Sequence, residues 1–179
     1  MAYDLDRFVS DCRTILGEDP GPAGREQVRR HLETLLAEPQ FIARHCQDAT
    51  PGVTVLYEDA CLGFQILAHV NAKAHASPPQ DHGATRAIYG QATEYTDMTE
   101  WERVDDGSDA ARSKLKPTRR YRLTPGHAGI YQERMIHSID YPAKASFIRV
   151  TGTDLDRIAR SKFDLATGRV TAMEPRRAS

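Results

Sequence analysis

Two stretches of the sequence carry side chains that could do chemistry, and each contains a histidine in a distinctive setting. The first, residues 77–83, reads Ser-Pro-Pro-Gln-Asp-His-Gly. In an extended chain, residues two apart project to the same side, so Gln80 and His82 point in one direction. The second, residues 136–139, places His137 between isoleucines. A histidine in such a strand is either a hydrogen-bonded core residue or a metal ligand, and its type alone does not decide between them.

These two stretches resemble the two metal-binding motifs of the cupins. Residues 78–83 read Pro-Pro-x-x-His-Gly, as in the first motif, and Pro125-Gly126 followed by residues 136–139 resembles the second. The resemblance covers roughly residues 50–165. It is strongest to the cysteine-dioxygenase-like branch, which includes bacterial predicted metal-dependent enzymes of the double-stranded β-helix superfamily. The resemblance implies a mainly β cupin jelly-roll barrel behind a helical N-terminal extension, with iron bound inside.

The resemblance also implies a set of metal ligands. His82 matches a histidine of the first motif and His137 the histidine of the second, while Gln80 stands where the branch usually has another histidine. A glutamine carbonyl oxygen can coordinate a metal, but it is neutral and a weaker ligand than imidazole. The predicted ligands are therefore His82, His137 and Gln80, with positions left for water and substrate. Fe(II) is the expected metal, with Mn, Ni or Zn as alternatives.

The replacement at Gln80 leaves other arrangements open. The site could recruit His75, five residues before Gln80, or His127 from the Pro-Gly turn. His69 ranks below both as a ligand. The site could also have lost its metal, in which case the barrel would be a metal-free binding module.

Arg86, Tyr131 and Arg149 are the predicted substrate-contacting residues. Arg86 follows His82 by four residues and would face the cavity if the strand continues. An arginine inside a barrel is costly unless paired, and its shape suits a two-pronged grip on a carboxylate. The tyrosine can hydrogen-bond a substrate or oxygen. The alternative is that the arginines lie on the surface or pair with an acid such as Glu133, and that the tyrosine only packs.

The stretch Phe147–Thr151 departs from the thiol dioxygenases. Those enzymes carry a Ser-x-His-x-Tyr series on a late strand, whereas here none of the three residues occurs and Arg149 stands at the histidine position. Oxidation of cysteine itself is therefore disfavoured. Another small organic substrate is expected, with a carboxylate as the preferred handle and a thiol as the alternative.

Composition argues against several partners. The 179 residues carry a net charge of −1 with acids and bases interleaved, and Arg176-Arg177 is only a short basic tail, so neither a nucleic acid nor an anionic membrane is favoured. No apolar run reaches the roughly 18 residues of a membrane span. Three cysteines, Cys12, Cys46 and Cys61, have unrelated spacings and predict no disulfide framework. Without a secretory pattern, the expected location is cytoplasmic.

A helical lead-in followed by short strands is predicted to position the candidate residues. Apolar residues at three- and four-residue steps predict helices over residues 5–16 and 23–37, with further helical turns after Pro39. Segments rich in β-branched and aromatic residues then predict strands. They span residues 53–57, 61–67, 85–89, 92–95, 100–103, 121–123, 135–139 and 147–151. A last helix is expected over Thr153–Ser161. The predicted domains are a helical extension, 1–48, packed on a cupin β-barrel, 49–179, with that short C-terminal helix.

Three functions are compatible with these residues. The preferred one is a non-haem iron oxygenase acting on a small organic molecule. The second keeps the metal as a Lewis acid in a lyase, isomerase or hydrolase, and the third is a metal-free small-molecule binding protein; fold does not choose among them. In each case the partner is a small molecule, and a homodimer is compatible with the edge strands of such a barrel.

Overall fold

The computed structural model describes residues 3–175; residues 1, 2 and 176–179, including the Arg176-Arg177 pair, lie outside the described residues. Three helices come first: α1 (Leu5–Glu18), α2 (Pro22–Leu36) and α3 (Pro39–Ile42), which continues as a π-helical turn over Ala43–Gln47. The strands follow as β1 (Gly52–Glu58), β2 (Gln65–Val70), β3 (His75–Ala76), β4 (Ala87–Thr93), β5 (Thr96–Arg103), β6 (Leu115–Leu123), β7 (Ala128–Tyr131), β8 (Ile136–Tyr141), β9 (Ser146–Thr151), β10 (Arg160–Phe163) and β11 (Val170–Met173). Between residues 3 and 175, no helix has the length and apolarity needed to cross a membrane.

The helical lead-in is punctuated by aspartate caps and prolines. Asp4 caps α1, because its side chain accepts a hydrogen bond from the backbone N–H of Arg7. Asp19 ends α1, and its carboxylate accepts from the N–H groups of Gly21 and Gly24. Pro22 then opens α2 at its first position, where a missing N–H costs nothing. One aspartate therefore fixes the turn between the two long helices.

The strands form two large antiparallel sheets and a hairpin. The five-stranded sheet has the order β1-β2-β9-β4-β7, the four-stranded sheet has the order β3-β8-β5-β6, and β10 pairs with β11. From β4 onward the chain passes repeatedly between the two sheets, since β5, β6 and β8 lie in one and β4, β7 and β9 in the other. This alternation is typical of a jelly roll. The predicted mainly β, jelly-roll fold with an N-terminal helical extension is confirmed.

The five-stranded sheet separates two environments. On its outer face, alternate residues such as Ile88 and Ile148 share a core with the buried faces of α1 and α2. Gly90 permits the close approach of α2, because a Cβ there would lie 2.6 Å from Cδ1 of Leu36. On the inner face, residues of the opposite parity, including Tyr89, pack in a second cluster towards the four-stranded sheet. Successive residues along one strand therefore pack alternately against the helices and into the barrel interior.

Two predicted segments are corrected by the structure. Residues 61–63 form a turn rather than the start of a strand, since the side chain of Asp59 accepts hydrogen bonds from the two N–H groups of residues 61 and 62. The helix predicted over Thr153–Ser161 is wrong: only a 3-10 turn, Leu155–Arg157, forms there. The chain then enters β10, because pairing with β11 satisfies its backbone groups. The proposed domain division stays a prediction.

The hairpin β10–β11 holds the first motif segment in place. The N–H of Asp81 donates to the carbonyl of Ser161 at 3.1 Å, and the N–H of Ser161 returns a bond to the Asp81 carboxylate at 3.0 Å. Gly83 has a φ of +58°, and a Cβ there would collide with the carbonyl oxygen of Ala159. Glycine is therefore required at this position both for its backbone conformation and for this close contact.

Substituting Gly83 tests this packing. We expect Gly83→Ala to lower the free energy of unfolding by at least about 2 kcal/mol, because it combines a left-handed backbone with a displaced strand. Gly107 has a φ of +70° with open space around it, so the matched control Gly107→Ala is expected to cost only about 1 kcal/mol. Urea denaturation measures both. Equal losses for the two variants would contradict the close approach of the hairpin.

Candidate active site

The structure brings the two predicted motif histidines together inside the barrel. His82 is 2% exposed and His137 is fully buried, and their ring centroids lie 4.7 Å apart. The contact depends on backbone pairing next to them: the N–H of Gln80 donates to the carbonyl of His137, and the N–H of His137 donates back to Gln80, each at 2.9 Å. The first motif segment is thereby held beside β8.

Each imidazole has one partnered nitrogen and one free nitrogen. Nδ1 of His137 lies 3.2 Å from the carbonyl oxygen of Met135. Because a carbonyl can only accept, Nδ1 carries the proton and Nε2 keeps its lone pair. In His82, Nε2 lies 3.1 Å from the hydroxyl of Tyr89. Nε2 of His137 and Nδ1 of His82 are buried without a hydrogen-bond partner in the described part of the chain. One anchored nitrogen and one free nitrogen is the arrangement of metal-binding histidines.

Both imidazoles are held in the neutral form that binds metals. Burial lowers the pKa of His137 to about 4, because the imidazolium would lose its hydration. The pKa of His82 is lowered well below its usual range, chiefly by burial and secondarily by the charges of His137, Arg149 and Arg160. At neutral pH a metal ion would therefore displace no proton from either ring.

Gln80 lies on the correct side of the chain to approach this pair. It is half-buried and directly opposite His137 in an antiparallel bridge, and directly opposed residues project to the same face. Among residues 3–175, no group of three or more His, Cys, Asp or Glu side chains is placed to hold a metal ion. A metal at the histidine pair would therefore need Gln80 or water as a further ligand. Coordination by Gln80 stays a prediction.

The two alternative histidines are not brought to the pair. His75 is exposed on β3, where its ring lies 5.7 Å from that of Tyr141. His127 is also exposed, and its Nδ1 lies 3.1 Å from the hydroxyl of Thr124 in the same turn. Neither histidine therefore takes the place of Gln80 as a third ligand beside the pair.

Tyrosines enclose the histidine pair. The ring of Tyr131 is fully buried, with its centroid 4.9 Å from that of His137, and its hydroxyl hydrogen-bonds the hydroxyl of Tyr121 at 2.7 Å. Tyr89 meets Tyr131 edge-on at 5.2 Å. Burial raises the pKa of Tyr131 well above its usual range, so the phenol stays protonated. Tyr131 therefore packs beside His137 in the barrel interior, and its catalytic role stays a prediction.

Arg149 lies on the inner face of the five-stranded sheet. It is opposite Tyr89 on β4 and Leu67 on β2. Its Nε is buried without a hydrogen-bond partner in the described residues. Its charge contributes to lowering the pKa of both His82 and His137. The inward direction that the sequence register implies is the one that the structure has.

Arg86 is not part of this group. The chain turns at Gly83, so β4 begins only at Ala87 and the parity expected from an unbroken strand does not hold. The guanidinium of Arg86 lies beside Gly152, and the charges that bear on its pKa are those of Arg25 and Glu133. The sequence argument that placed Arg86 in the cavity is therefore wrong, and its catalytic role has no supporting contact.

His69 lies opposite Phe147, on the inner face of the five-stranded sheet. Its ring stacks on Phe147 with the centroids 4.6 Å apart, and its Nε2 is buried without a described hydrogen-bond partner. Burial, followed by the charge of Arg149, lowers the pKa of His69 to about 3. The predicted strand ended at Leu67; extending its alternation by two residues would have placed His69 on the inner face.

A surface cavity of about 670 Å³ lies elsewhere, lined by residues of the 104–115 loop and the 164–168 turn. None of the buried histidines contributes to its lining. The chemistry-bearing side chains are therefore concentrated inside the barrel, away from this cavity.

Comparison with known proteins gives likenesses of fold. No protein-family profile and no curated protein matches the chain. Solved structures that match include a cupin superfamily protein from Desulfitobacterium hafniense DCB-2, with 15% identity, a TM-score of 0.42, and coverage of 59% of this chain and 83% of that chain. KdgF from Halomonas sp. has the same identity, TM-score and coverages. Hydroquinone 1,2-dioxygenase PnpCD, in complex with Cd2+ and 4-hydroxybenzonitrile, has 14% identity, a TM-score of 0.45, and coverage of 62% and 69%.

These likenesses are too distant to assign an activity or a metal to this chain. None of the three names the cysteine-dioxygenase-like branch. That branch therefore stays a prediction from the two motifs.

The lowered pKa of His69 predicts a specific pH dependence of stability. Because its folded pKa lies below the ordinary value of 6.5, the unfolded chain takes up a proton that the folded chain does not. The stability from neutral His69 is complete above about pH 6.5 and is lost as the pH falls towards about 3. We expect the free energy of unfolding of the wild type, relative to His69→Phe, to fall by about 1.4 kcal/mol per pH unit below that point.

Chemical denaturation at several pH values, with a chelator present, measures this difference. The control is His75→Phe, since His75 is exposed, and it should follow the wild-type pH dependence. If wild type and His69→Phe lose stability in parallel on acidification, the assignment of a buried neutral imidazole is wrong.

Proposed function

We propose that this chain is a metal-dependent enzyme of the cupin type, and specifically a non-haem iron oxygenase that acts on a small organic substrate inside the barrel. One observation carries the proposal. Two neutral histidines, with ring centroids 4.7 Å apart, each keep a buried nitrogen that has no hydrogen-bond partner in the described chain. Leaving a buried polar atom unsatisfied costs about 1–3 kcal/mol, so a ligand that engages both nitrogens is favoured.

His82, His137 and Gln80 are the residues that would hold iron(II). When bound, the metal would supply Lewis acidity and one-electron chemistry with dioxygen. The chain itself orients the ligands: the carbonyl of Met135 fixes the tautomer of His137, and the hydroxyl of Tyr89 anchors His82. Neutral imidazoles remain available because burial suppresses their protonation.

The surrounding side chains would keep water out of the reaction. The buried rings of Tyr89 and Tyr131 close the wall beside the histidines. Because burial keeps Tyr131 protonated, its hydroxyl can offer a hydrogen bond without introducing a negative charge. A dry, aromatic wall strengthens every polar contact that the substrate makes.

A second candidate is a metal-free binding protein. It is favoured by the finding that the described residues hold no group of three His, Cys, Asp or Glu side chains placed for a metal. A Lewis-acid enzyme without oxygen chemistry would use the same histidines. Oxygen uptake by the iron-loaded protein separates that reaction from the oxygenase.

Metal analysis tests the proposal directly. We expect wild-type protein, reconstituted anaerobically with iron(II), to retain about one metal per chain, and His82→Ala and His137→Ala to retain almost none, since each removes an imidazole ligand. His75→Ala, which alters an exposed histidine, is the control and should bind like the wild type. Elemental analysis after desalting gives the stoichiometry, and circular dichroism confirms that each variant is folded. A wild type without metal would favour the binding protein.

Gln80 provides a test in which binding is gained. If its side chain faces the histidine pair, Gln80→His adds a third imidazole, and we expect the affinity for iron(II) or zinc to rise at least about tenfold. Gln80→Ala should weaken binding, because only water can then complete the site. Competition with a chromophoric chelator gives both affinities. Unchanged affinity in both variants would show that residue 80 does not reach the metal.

A further inference from the structure

We infer that the barrel interior recognises its substrate through a carboxylate, which the guanidinium of Arg149 binds beside the His82–His137 pair. This inference names the substrate class of the proposed enzyme and rests on the proposed function for the statement that the anion is the substrate. The binding of the anion requires no metal and can be measured without one.

The charge of Arg149 has no counterion in the described structure. Nε of Arg149 is buried without a hydrogen-bond partner, and between residues 3 and 175 no carboxylate oxygen lies within ion-pair distance of its guanidinium. Arg149 as a whole is half-buried, but its Nε is shielded from water and lacks an acceptor, and an unsatisfied buried donor is costly. A carboxylate ligand would supply both the missing charge and acceptors arranged for the planar guanidinium.

The residues beside Arg149 in the sheet carry no negative charge. Arg149 lies opposite Tyr89 on β4 and Leu67 on β2, and its neighbours on the same face of β9 are Phe147 and Thr151. The carboxylate of Asp81 accepts hydrogen bonds from the backbone N–H groups at positions 83 and 161. Arg149 therefore has no described acidic partner on its own face of the sheet.

A second guanidinium reinforces the same sign of charge. The positive charge of Arg160, on β10, contributes to lowering the pKa of His82. The Nε of Arg160 is also buried without a hydrogen-bond partner within the described chain. Its terminal nitrogen lies 3.6 Å from a carboxylate oxygen of Asp156, at the longer end of ion-pair distances. Arg149 and Arg160 thus both contribute positive charge at His82 from different strands, and Asp156 offsets part of the charge of Arg160.

The face around Arg149 suits a small organic acid. Phe147 precedes it and Thr151 follows it at two-residue spacing, so all three project from the same face of β9. The hydroxyl of Thr151 is buried without a described partner and offers another hydrogen bond. The ring of Phe147 lies 5.5 Å from that of Tyr89 and supplies apolar contact. A carboxylate joined to a short apolar group matches this combination better than an inorganic anion does.

Binding of simple acids to metal-depleted protein tests the inference. The probes are acetate and propionate, with acetamide and propionamide as uncharged analogues of nearly equal shape, at ionic strength held constant with sodium chloride. We expect calorimetry or NMR titration to show the acids binding wild type at least about tenfold more tightly than the amides. Arg149→Met should lose this preference. Arg149→Lys should keep part of it, because lysine preserves the positive charge but lacks the paired N–H donors of a guanidinium.

Arg120→Met is the matched control, because Arg120 is an exposed arginine on β6 and its loss changes the net charge equally. It should bind the acids like the wild type. Acids and amides that bind wild type equally, no saturable acid binding, or equal acid affinity in wild type and Arg149→Met would each overturn the inference.

The histidine variants separate this inference from the proposed function. His137→Ala is expected to lose iron while retaining the preference for acids over amides. Acid binding by a wild type that holds no metal would uphold the anion site and overturn the iron oxygenase. Metal binding without acid preference would do the reverse.

Discussion

The candidate site depends on one reciprocal backbone contact, the pair of 2.9 Å hydrogen bonds between Gln80 and His137. Gln80 lies outside the named strands, in a segment stiffened by two prolines. Ser77 adds a second attachment to β8, since its N–H donates to the carbonyl of Ile139 and its hydroxyl accepts from the N–H of Ile139, but the contact of Gln80 is the one nearest to His82. With it, two rings from distant parts of the chain share one buried volume, and the neighbouring strands need only supply the wall.

That arrangement leaves several polar atoms in the barrel interior without hydrogen-bond partners. Free nitrogens on His69, His82, His137 and Arg149 and the hydroxyl of Thr151 are all buried without partners in the described chain. Native interiors hold few such atoms. Five of the seven such atoms in the described chain lie on β2, β8, β9 and the first motif segment, and the other two belong to Ser113 and Arg160. This clustering is the feature that favours a ligand-binding interior over an imperfect core. None of the seven belongs to the helices that pack on the outer face of the sheet.

Much of the fold could be predicted from the sequence, because periodicity reports burial directly. The spacing of Phe8, Cys12 and Leu16 predicted α1, and their burial confirms it. The failures occurred where side chains override periodicity. Asp59 captures backbone groups and turns residues 61–63, and pairing with β11 draws Arg160–Phe163 out of the expected helix and into a strand.

The site was partly predictable for the same reason. The direction of Arg149 follows from its place in a regular strand. That of Arg86 does not, because a glycine with positive φ breaks the alternation after His82. The inward direction of His69 was not predicted, because the strand was ended at Leu67. Which nitrogens are anchored and which are free depends on distant contacts, such as the one between His82 and Tyr89, and no local pattern encodes them.

The order in which the chain is synthesised gives the C-terminal hairpin a further consequence. The loop bearing His82 is bonded to Ser161, 80 residues downstream of Asp81. A chain still emerging from the ribosome, complete through β9, would contain both histidines and the whole barrel but lack the strand that fixes this loop. The segment that carries His82 can therefore be fixed by this hairpin only after β10 has been synthesised.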